Sequence, residues 1–507
     1  MDKAAGSLGK AIDRVLIALA CVAVLYVVAA AVVYGIYPGY VDHGEPIVAA
    51  AAFRMLDGAL VYPPFDGPDF TSNIYGPFTY LFNGLVMAMF GGTSLTGKLA
   101  GLLALLGAVL AVWATYRHHG PRTLALALLM IAGFLVLLVP YSIWNRPDPF
   151  LVAAAAIAVL AVRYPPKGAR WLLWVLIGVI GGVACGLKLY GPLFIAPLGL
   201  YVALRDRSVL SLVVMTAAGI TTALVPFLLP MFPLENYVKW FGIVAEKPTD
   251  GEMVTKAFRY GVFFLLPALA LLIRRFMSLS RMSEALQDPE TVYAGATVIG
   301  MLLCGYVASK PGAGMYYLLP FAALSIDMAV RFGASFPADR NGRAAAFAPA
   351  LAAVLAAVML VSAVPVQKRF FRALEWDRVQ SIKDDLLAIM AQYPERKIQM
   401  AVGSSIGGYH NTLQKTELIY AGHPYNVDFG VMIETSFLGI PLSDPLVATI
   451  AACETDIWLV PEGEVPLSLN GYYGNTVVAG NFRDAFMTAY AKVGSTAHFD
   501  LWACRKN

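Results

Sequence analysis

Apolar residues along this chain gather in long blocks and do not alternate with polar ones. The blocks fall at about 15–36, 94–116, 122–140, 149–163, 170–187, 190–204, 209–232, 258–273, 291–308, 315–331 and 344–364. Stretches of about 20 such residues suit helices that cross a hydrocarbon layer, where backbone groups must bond within their own segment. The pattern predicts eleven transmembrane helices. A twelfth block, Pro77–Phe90, is about fourteen residues long, short of the ~17–25 that a crossing takes, and reads as an interfacial helix. After Pro365 the pattern changes: residues 370–393 have helical spacing, 397–405 and 456–463 read as short buried strands, and 482–494 followed by 497–506 reads as helix then strand. The expected architecture is therefore an α-helical polytopic membrane domain, residues 1–365, with interfacial helices in a loop at 36–93, and a small C-terminal α/β domain at 366–507.

Composition agrees. Of the 507 residues 59% are hydrophobic and only 14% charged, with a mean hydropathy of +0.66; this excludes an ordinary soluble domain, which carries about 25% charged residues. The net charge of +4 divides unevenly, with 25 Lys/Arg and 18 Asp/Glu up to residue 365 but 12 and 15 beyond it. The basic residues stand singly between apolar runs, so no nucleic-acid surface is expected. Lys3, Lys10 and Arg14 precede the first block, which lacks a cleavage site and reads as a retained span. With Pro77–Phe90 outside the membrane, five connectors on the N-terminal side hold thirteen Lys/Arg and the opposite ones seven. The positive-inside rule then predicts a cytoplasmic N-terminus and an extracytoplasmic C-terminal domain. Cys21, Cys185 and Cys304 lie in or beside apolar runs as small hydrophobes, whereas Cys453 and Cys504 can pair if their domain faces an oxidising compartment.

That topology collects the unusual polar residues on the external side: Asp42, His43, Glu45, Arg146, Asp148, Lys188 and Lys310, together with Glu246, Asp250 and Glu252. Ionisable groups near membrane depth are costly and commonly functional. Asp327, four residues before Arg331, is explained by an i,i+4 pair. The first external loop places Asp42-His43-Gly44-Glu45 before a short helix. Gly/Pro breakers follow, along with Tyr62, Tyr75 and Tyr80, which suit the headgroup level and a roof or acceptor role. The loop at 403–408, GSSIGG, lacks the lysine of a phosphate-binding loop and reads as a tight turn.

The order of a first span, the acidic motif Asp42-His43-Gly44-Glu45, the stretch AFRMLDGALVY at 52–62, Tyr75-Gly76-Pro77-Phe78-Thr79-Tyr80, and then Asn145-Arg146-Pro147-Asp148-Pro149-Phe150 opening a later span resembles the GT-C membrane glycosyltransferases. Within them it is closest in pattern to the protein-mannosyltransferase-like and lipid A aminoarabinose-transferase-like branch, over roughly residues 10–335. The resemblance implies transfer of a monosaccharide, with inversion, from a polyprenyl-phosphate donor to a glycolipid, polysaccharide or protein acceptor at the outer face of a bacterial inner membrane. It also puts Asp42 at the family's acidic catalytic position.

Such chemistry needs a carboxylate to take the acceptor proton and cations to stabilise the departing phosphate. Asp42 is the expected base, against the alternative that it only caps the following helix. Glu45 can hold the acceptor, replace Asp42, or ligate a divalent metal with His43. Asp148 can orient the acceptor, and Arg146 can meet the phosphate through its planar fork. Lys188 has no acid near it in sequence, so an anion such as a lipid phosphate would satisfy it, with Tyr190 as a hydroxyl donor and Lys310 in a glycine-rich loop beside. No cofactor is required by the sequence. A carrier or flippase of the same lipid-linked sugar is the alternative, although transporters tend to place their charges at midplane.

Overall fold

The computed structural model describes residues 2–72, 75–279, 282–336, 343–436, 439, 441–471, 474–478 and 480–506. Residues 337–342 of the basic connector expected at 331–343 lie outside the described residues. Every predicted apolar block is helical. Among the described residues seven segments have the length and hydropathy to cross a membrane: Ala11–Ile36, Thr96–Tyr116, Val209–Leu228, Gly251–Phe276, Pro289–Ala308, Met315–Ala334 and Pro349–Gln392. The other four blocks form helices Pro121–Leu137, Pro147–Arg163, Arg170–Cys185 and Ala196–Asp206, of 17, 17, 16 and 11 residues. At about 1.5 Å per residue these are short for an upright crossing, so the predicted eleven are represented by seven full-length segments and four shorter ones. Pro77–Phe90 is a helix of 14 residues with proline in its first turn.

By internal contacts the chain forms two compact units, each discontinuous in sequence. One comprises 1–35, 101–225 and 248–372; the other 36–100, 226–247 and 373–507. The loop 36–93, expected with the membrane domain, thus groups with the C-terminal region.

In the first unit, close backbone approach depends on glycine. A Cβ on Gly178 would lie 2.4 Å from the Met215 carbonyl, and one on Gly182 2.4 Å from that of Gly219. Helices Arg170–Cys185 and Val209–Leu224 therefore meet through small residues four apart, the usual way to gain packing where lipid supplies no hydrophobic drive. A Cβ on Gly191 would fall 1.9 Å from the Ala184 carbonyl, which folds the connector carrying Lys188 back onto its own helix. One on Gly101 would fall 2.0 Å from the Trp144 carbonyl and so fixes the segment before Arg146.

In the second unit, a four-stranded sheet runs in the order β1 (Ile398–Met400), β2 (Ile457–Pro461), β4 (Phe499–Cys504), β3 (Tyr490–Ser495), with β1 parallel to β2 and the rest antiparallel. Tyr490–Ser495, expected as helix, is a strand. Helix Gly480–Ala489 ends one residue before it, and pairing with β4 supplies the hydrogen bonds that extending the helix would have given. Cys453 and Cys504 form a disulfide with Cα atoms 5.9 Å apart. The loop at 36–100 packs into this region: Phe70 accepts from Asp428 N and donates to Asn426 O, a bridge that adds it beside Val427.

Candidate functional site

In the first unit the candidate residues Arg146, Asp148, Lys188 and Tyr190 share one buried cluster. Asp148 stands in the first turn of helix Pro147–Arg163, whose proline at N1 fits that position. Its Oδ1 accepts from Lys188 Nζ at 2.8 Å and its Oδ2 from Trp144 Nε1 at 3.1 Å. Lys188 therefore does have an acid, forty residues away in sequence, which corrects the premise that an anionic ligand is needed to satisfy it. Around the pair stand aromatic rings: Lys188 Nζ lies 3.9 Å from the Tyr317 centroid, and Tyr190 stacks on Tyr317 at 5.0 Å. Arg146 Cζ lies over the Trp144 ring at 3.8 Å, and its Nη2 donates to Tyr316 Oη at 2.9 Å. Two cations and one carboxylate are thus enclosed by aromatic faces, which attract cations through their quadrupole. Burial lowers the Lys188 pKa, against the pull of Asp148, to about 8. Lys310 sits after helix Pro289–Ala308 with its ammonium 5.9 Å from the Tyr306 ring, and Ser309 O beside it accepts from Asp250 N. Asp250 itself caps helix Gly251–Phe276, and Glu252 pairs with Lys256, so two members of that acidic cluster have structural roles.

The second unit holds the acidic motif. Asp42 is half-buried and its Oδ1 accepts from Gly44 N at 2.8 Å, at the start of helix Gly44–Leu56. Glu45 is fully buried, and its Oε2 accepts from both Val41 N and Asp42 N at 3.0 Å. The N-cap position is His43, which makes no side-chain cap bond; Asp42, one residue before it, holds the first helical amide, while Glu45 ties the incoming chain to the helix. His43 Nε2 meets Glu434 Oε1 at 3.1 Å, and Glu434 Oε2 meets Lys247 Nζ at 2.7 Å. Although burial opposes ionisation, the His43 hydrogen bond and the Lys247 charge hold Glu434 well below the usual carboxylate range. Among the described residues no group of three His, Cys, Asp or Glu converges as a metal site. Glu45 is bonded to backbone amides and His43 to Glu434.

Tyr62, Tyr75 and Tyr80 are corrected as headgroup-level residues. Tyr62 and Tyr80 have no exposed surface and Tyr75 is 6% exposed. Tyr62 donates to Tyr75 O at 2.6 Å and packs edge-on to Tyr80; these rings build the unit's core, because stacking against Phe232 and Tyr237 buries more surface than an interfacial position would. Lys98 was not anticipated. Fully buried, it donates to Tyr37 O at 2.5 Å, lies 5.4 and 5.5 Å from the Tyr37 and Tyr40 rings, and is near enough to Glu45 for their charges to interact. Its only sequence signal is a lone cation in the first turn of an apolar run.

Residues 75–231 match the family model described as dolichyl-phosphate-mannose-protein mannosyltransferase. The crystal structure of ArnT from Cupriavidus metallidurans in the apo state superposes with a TM-score of 0.52 at 15% identity, covering 95% of this chain and 97% of that one. The fold is GT-C. The likeness spans nearly the whole of both chains and is one of fold. The same ArnT bound to undecaprenyl phosphate superposes with a TM-score of 0.51, at the same identity and coverage. An oligosaccharyltransferase from Archaeoglobus fulgidus in complex with zinc and sulfate gives 0.43 at 12% identity, over 84% of this chain and 64% of that one. Comparison with curated proteins by sequence finds no match. Within this GT-C chain the candidate residues divide into an aromatic-walled charge cluster in one unit and an acidic turn in the other.

Proposed function

We propose that this chain transfers a monosaccharide, with inversion, from a polyprenyl-phosphate donor to the hydroxyl of a glycolipid, polysaccharide or protein acceptor, at the outer face of a bacterial inner membrane. The observation that carries the reading is the cluster of Lys188 and Arg146: two cations held side by side against the faces of Trp144, Tyr316 and Tyr317 suit a phosphate that gains charge as it leaves. ArnT bound to undecaprenyl phosphate, a relative in fold, is consistent with such a donor. In the reaction the acceptor oxygen forms a bond to the anomeric carbon, the bond from that carbon to the phosphate oxygen breaks, and the acceptor proton passes to a carboxylate. Asp42 takes that proton. Lys188, Arg146 and Tyr190 hold the leaving phosphate, Lys310 adds positive charge nearby in sequence to Tyr316 and Tyr317, and Asp148 acts as a positioning residue, since both its oxygens are engaged. Glu45 and Lys98 fix the Asp42 turn.

The Cys453–Cys504 disulfide supports an oxidising location for the C-terminal region, with the N-terminus cytoplasmic. The test uses purified full-length protein with a panel of undecaprenyl-phosphate hexoses and pentoses and an envelope glycolipid extract, read by mass spectrometry. Asp42→Asn is expected to lower turnover by about 10²–10⁴-fold, the usual contribution of a general base, with unchanged folding. Undiminished turnover removes Asp42 from this role; movement of labelled lipid across proteoliposomes with no glycosidic product would replace the transferase with a carrier.

A further inference from the structure

The C-terminal region reaches the acidic turn through helix Phe429–Thr435 and its neighbours. Helix Phe429–Thr435 begins at Asp428, whose Oδ1 accepts from Gly430 N and Val431 N and whose Oδ2 is bonded by Lys415 and Tyr425. That helix start is therefore fixed by both backbone and side-chain bonds, and Glu434 projects from its last turn between His43 and Lys247. The three side chains are 27%, 15% and 4% exposed, so the pairings are shielded enough to exceed the value of a surface ion pair. A Cβ on Gly430 would lie 3.0 Å from Ile47 Cδ1, which places helices Phe429–Thr435 and Gly44–Leu56 in close contact. At the far end of the second helix, Arg54 Nη1 donates to Tyr425 O at 2.6 Å and its guanidinium lies 5.6 Å from the Tyr425 ring. Both ends of the helix that follows Asp42 are thus gripped by residues some 370–390 positions later.

We infer that Glu434 is a positioning residue for Asp42, acting through His43. The inference rests on the reading of Asp42 as the base. Asp42, His43 and Gly44 are consecutive, and the Asp42 carboxylate is oriented by Gly44 N while Glu45 gathers the two preceding amides. These bonds are local and turn with the segment as a whole. Glu434 adds a bond from outside the segment on the residue between Asp42 and Gly44. Around His43 stand Glu434, the Tyr409 ring at 6.4 Å, His410 within charge range, Lys247 through Glu434, and Asp42 and Glu45 on its own segment. Losing the anchor would leave the fold standing and the carboxylate misdirected, and misplacement of a reacting group by about an ångström can lower a rate by about a hundredfold.

The experiment compares full-length wild type, Glu434→Gln, His43→Ala and the double variant. Hydrogen exchange of a peptide covering 41–45 is expected to speed up about tenfold in each variant, with exchange of strand β1 unmoved. In the product assay above, kcat is expected to fall about tenfold at unchanged KM, and the double variant to be no slower than the slower single. Because His43→Ala interrupts the same link from the other side, it decides the matter should Glu434→Gln fail to fold. Unchanged exchange at 41–45, losses that multiply, or an effect on KM alone would overturn the inference. If wild type forms no product, the transferase reading fails by itself and the exchange measurement still decides what Glu434 does.

Discussion

Two carboxylates in the first unit have nearly the same neighbours and different fates. Asp327 has no exposed surface and accepts from Arg331 Nε and Arg163 Nε, both at 2.7 Å, and from Tyr116 Oη at 3.1 Å. Glu290 adds a second carboxylate, 3.3 Å from Arg331. There the cations spend their charge on the protein's own acids. Asp148 also has two cations close by: Lys188 bonds it, and Arg146 lies over Trp144 and donates to Tyr316. A network of acids and guanidiniums locks helices together, whereas a cluster whose two cations face aromatic rings is suited to an outside anion. The i,i+4 spacing was sufficient to anticipate the Arg331 half of the first network but not its Arg163 half.

The largest effect expected is on stability. Asp327→Asn takes the shared counter-charge from the buried Arg331 and the partly buried Arg163 and is expected to cost about 3–5 kcal/mol, measured by thermal unfolding of the purified protein; a loss under about 1 kcal/mol would erase the contrast between the sites. Lys188→Met should act mainly on the donor, lowering kcat/KM by about a hundredfold or roughly 2.7 kcal/mol, with a smaller effect on unfolding because Trp144 still bonds Asp148. Should its main defect be unfolding, Asp148–Lys188 is a structural pair like that of Asp327. Arg146→Lys keeps the charge and loses the planar group stacked on Trp144, so binding of undecaprenyl phosphate is expected to weaken about tenfold, roughly 1.4 kcal/mol, by titration in detergent. The mildest effect is with pH. Only the ammonium form of Lys188 attracts an anion, so undecaprenyl phosphate binding should decline as pH rises through about 8, and that decline should vanish in Lys188→Met.

How much was legible follows from the range of each signal. The helices were, because each is recorded in its own run of Ala, Leu and Val. The GT-C fold was, through the order of short motifs along the chain, and the superposition on ArnT agrees. The Asp148–Lys188 pair was not, since nothing in either short segment indicates a partner forty residues off. Nor was the burial of Tyr62, Tyr75 and Tyr80, because a phenol has the same sequence signature in a core and at a headgroup. Strand Tyr490–Ser495 read as helix since its neighbour Phe499–Cys504, which supplies its bonds, lies beyond the window in which periodicity is judged.

By itself the sequence determined that this is a helical membrane protein with a small α/β region at its end, because hydrophobic length and charge content are local and additive. It also specified which residue types were available for chemistry. Only the tertiary structure decided how those residues are used: that Lys188 belongs to Asp148, that Arg146 lies on Trp144, and that the acidic turn at Asp42 is held by Glu434. Those outcomes depend on bonds between segments distant in the chain, where each carboxylate has several possible cations and packing selects one.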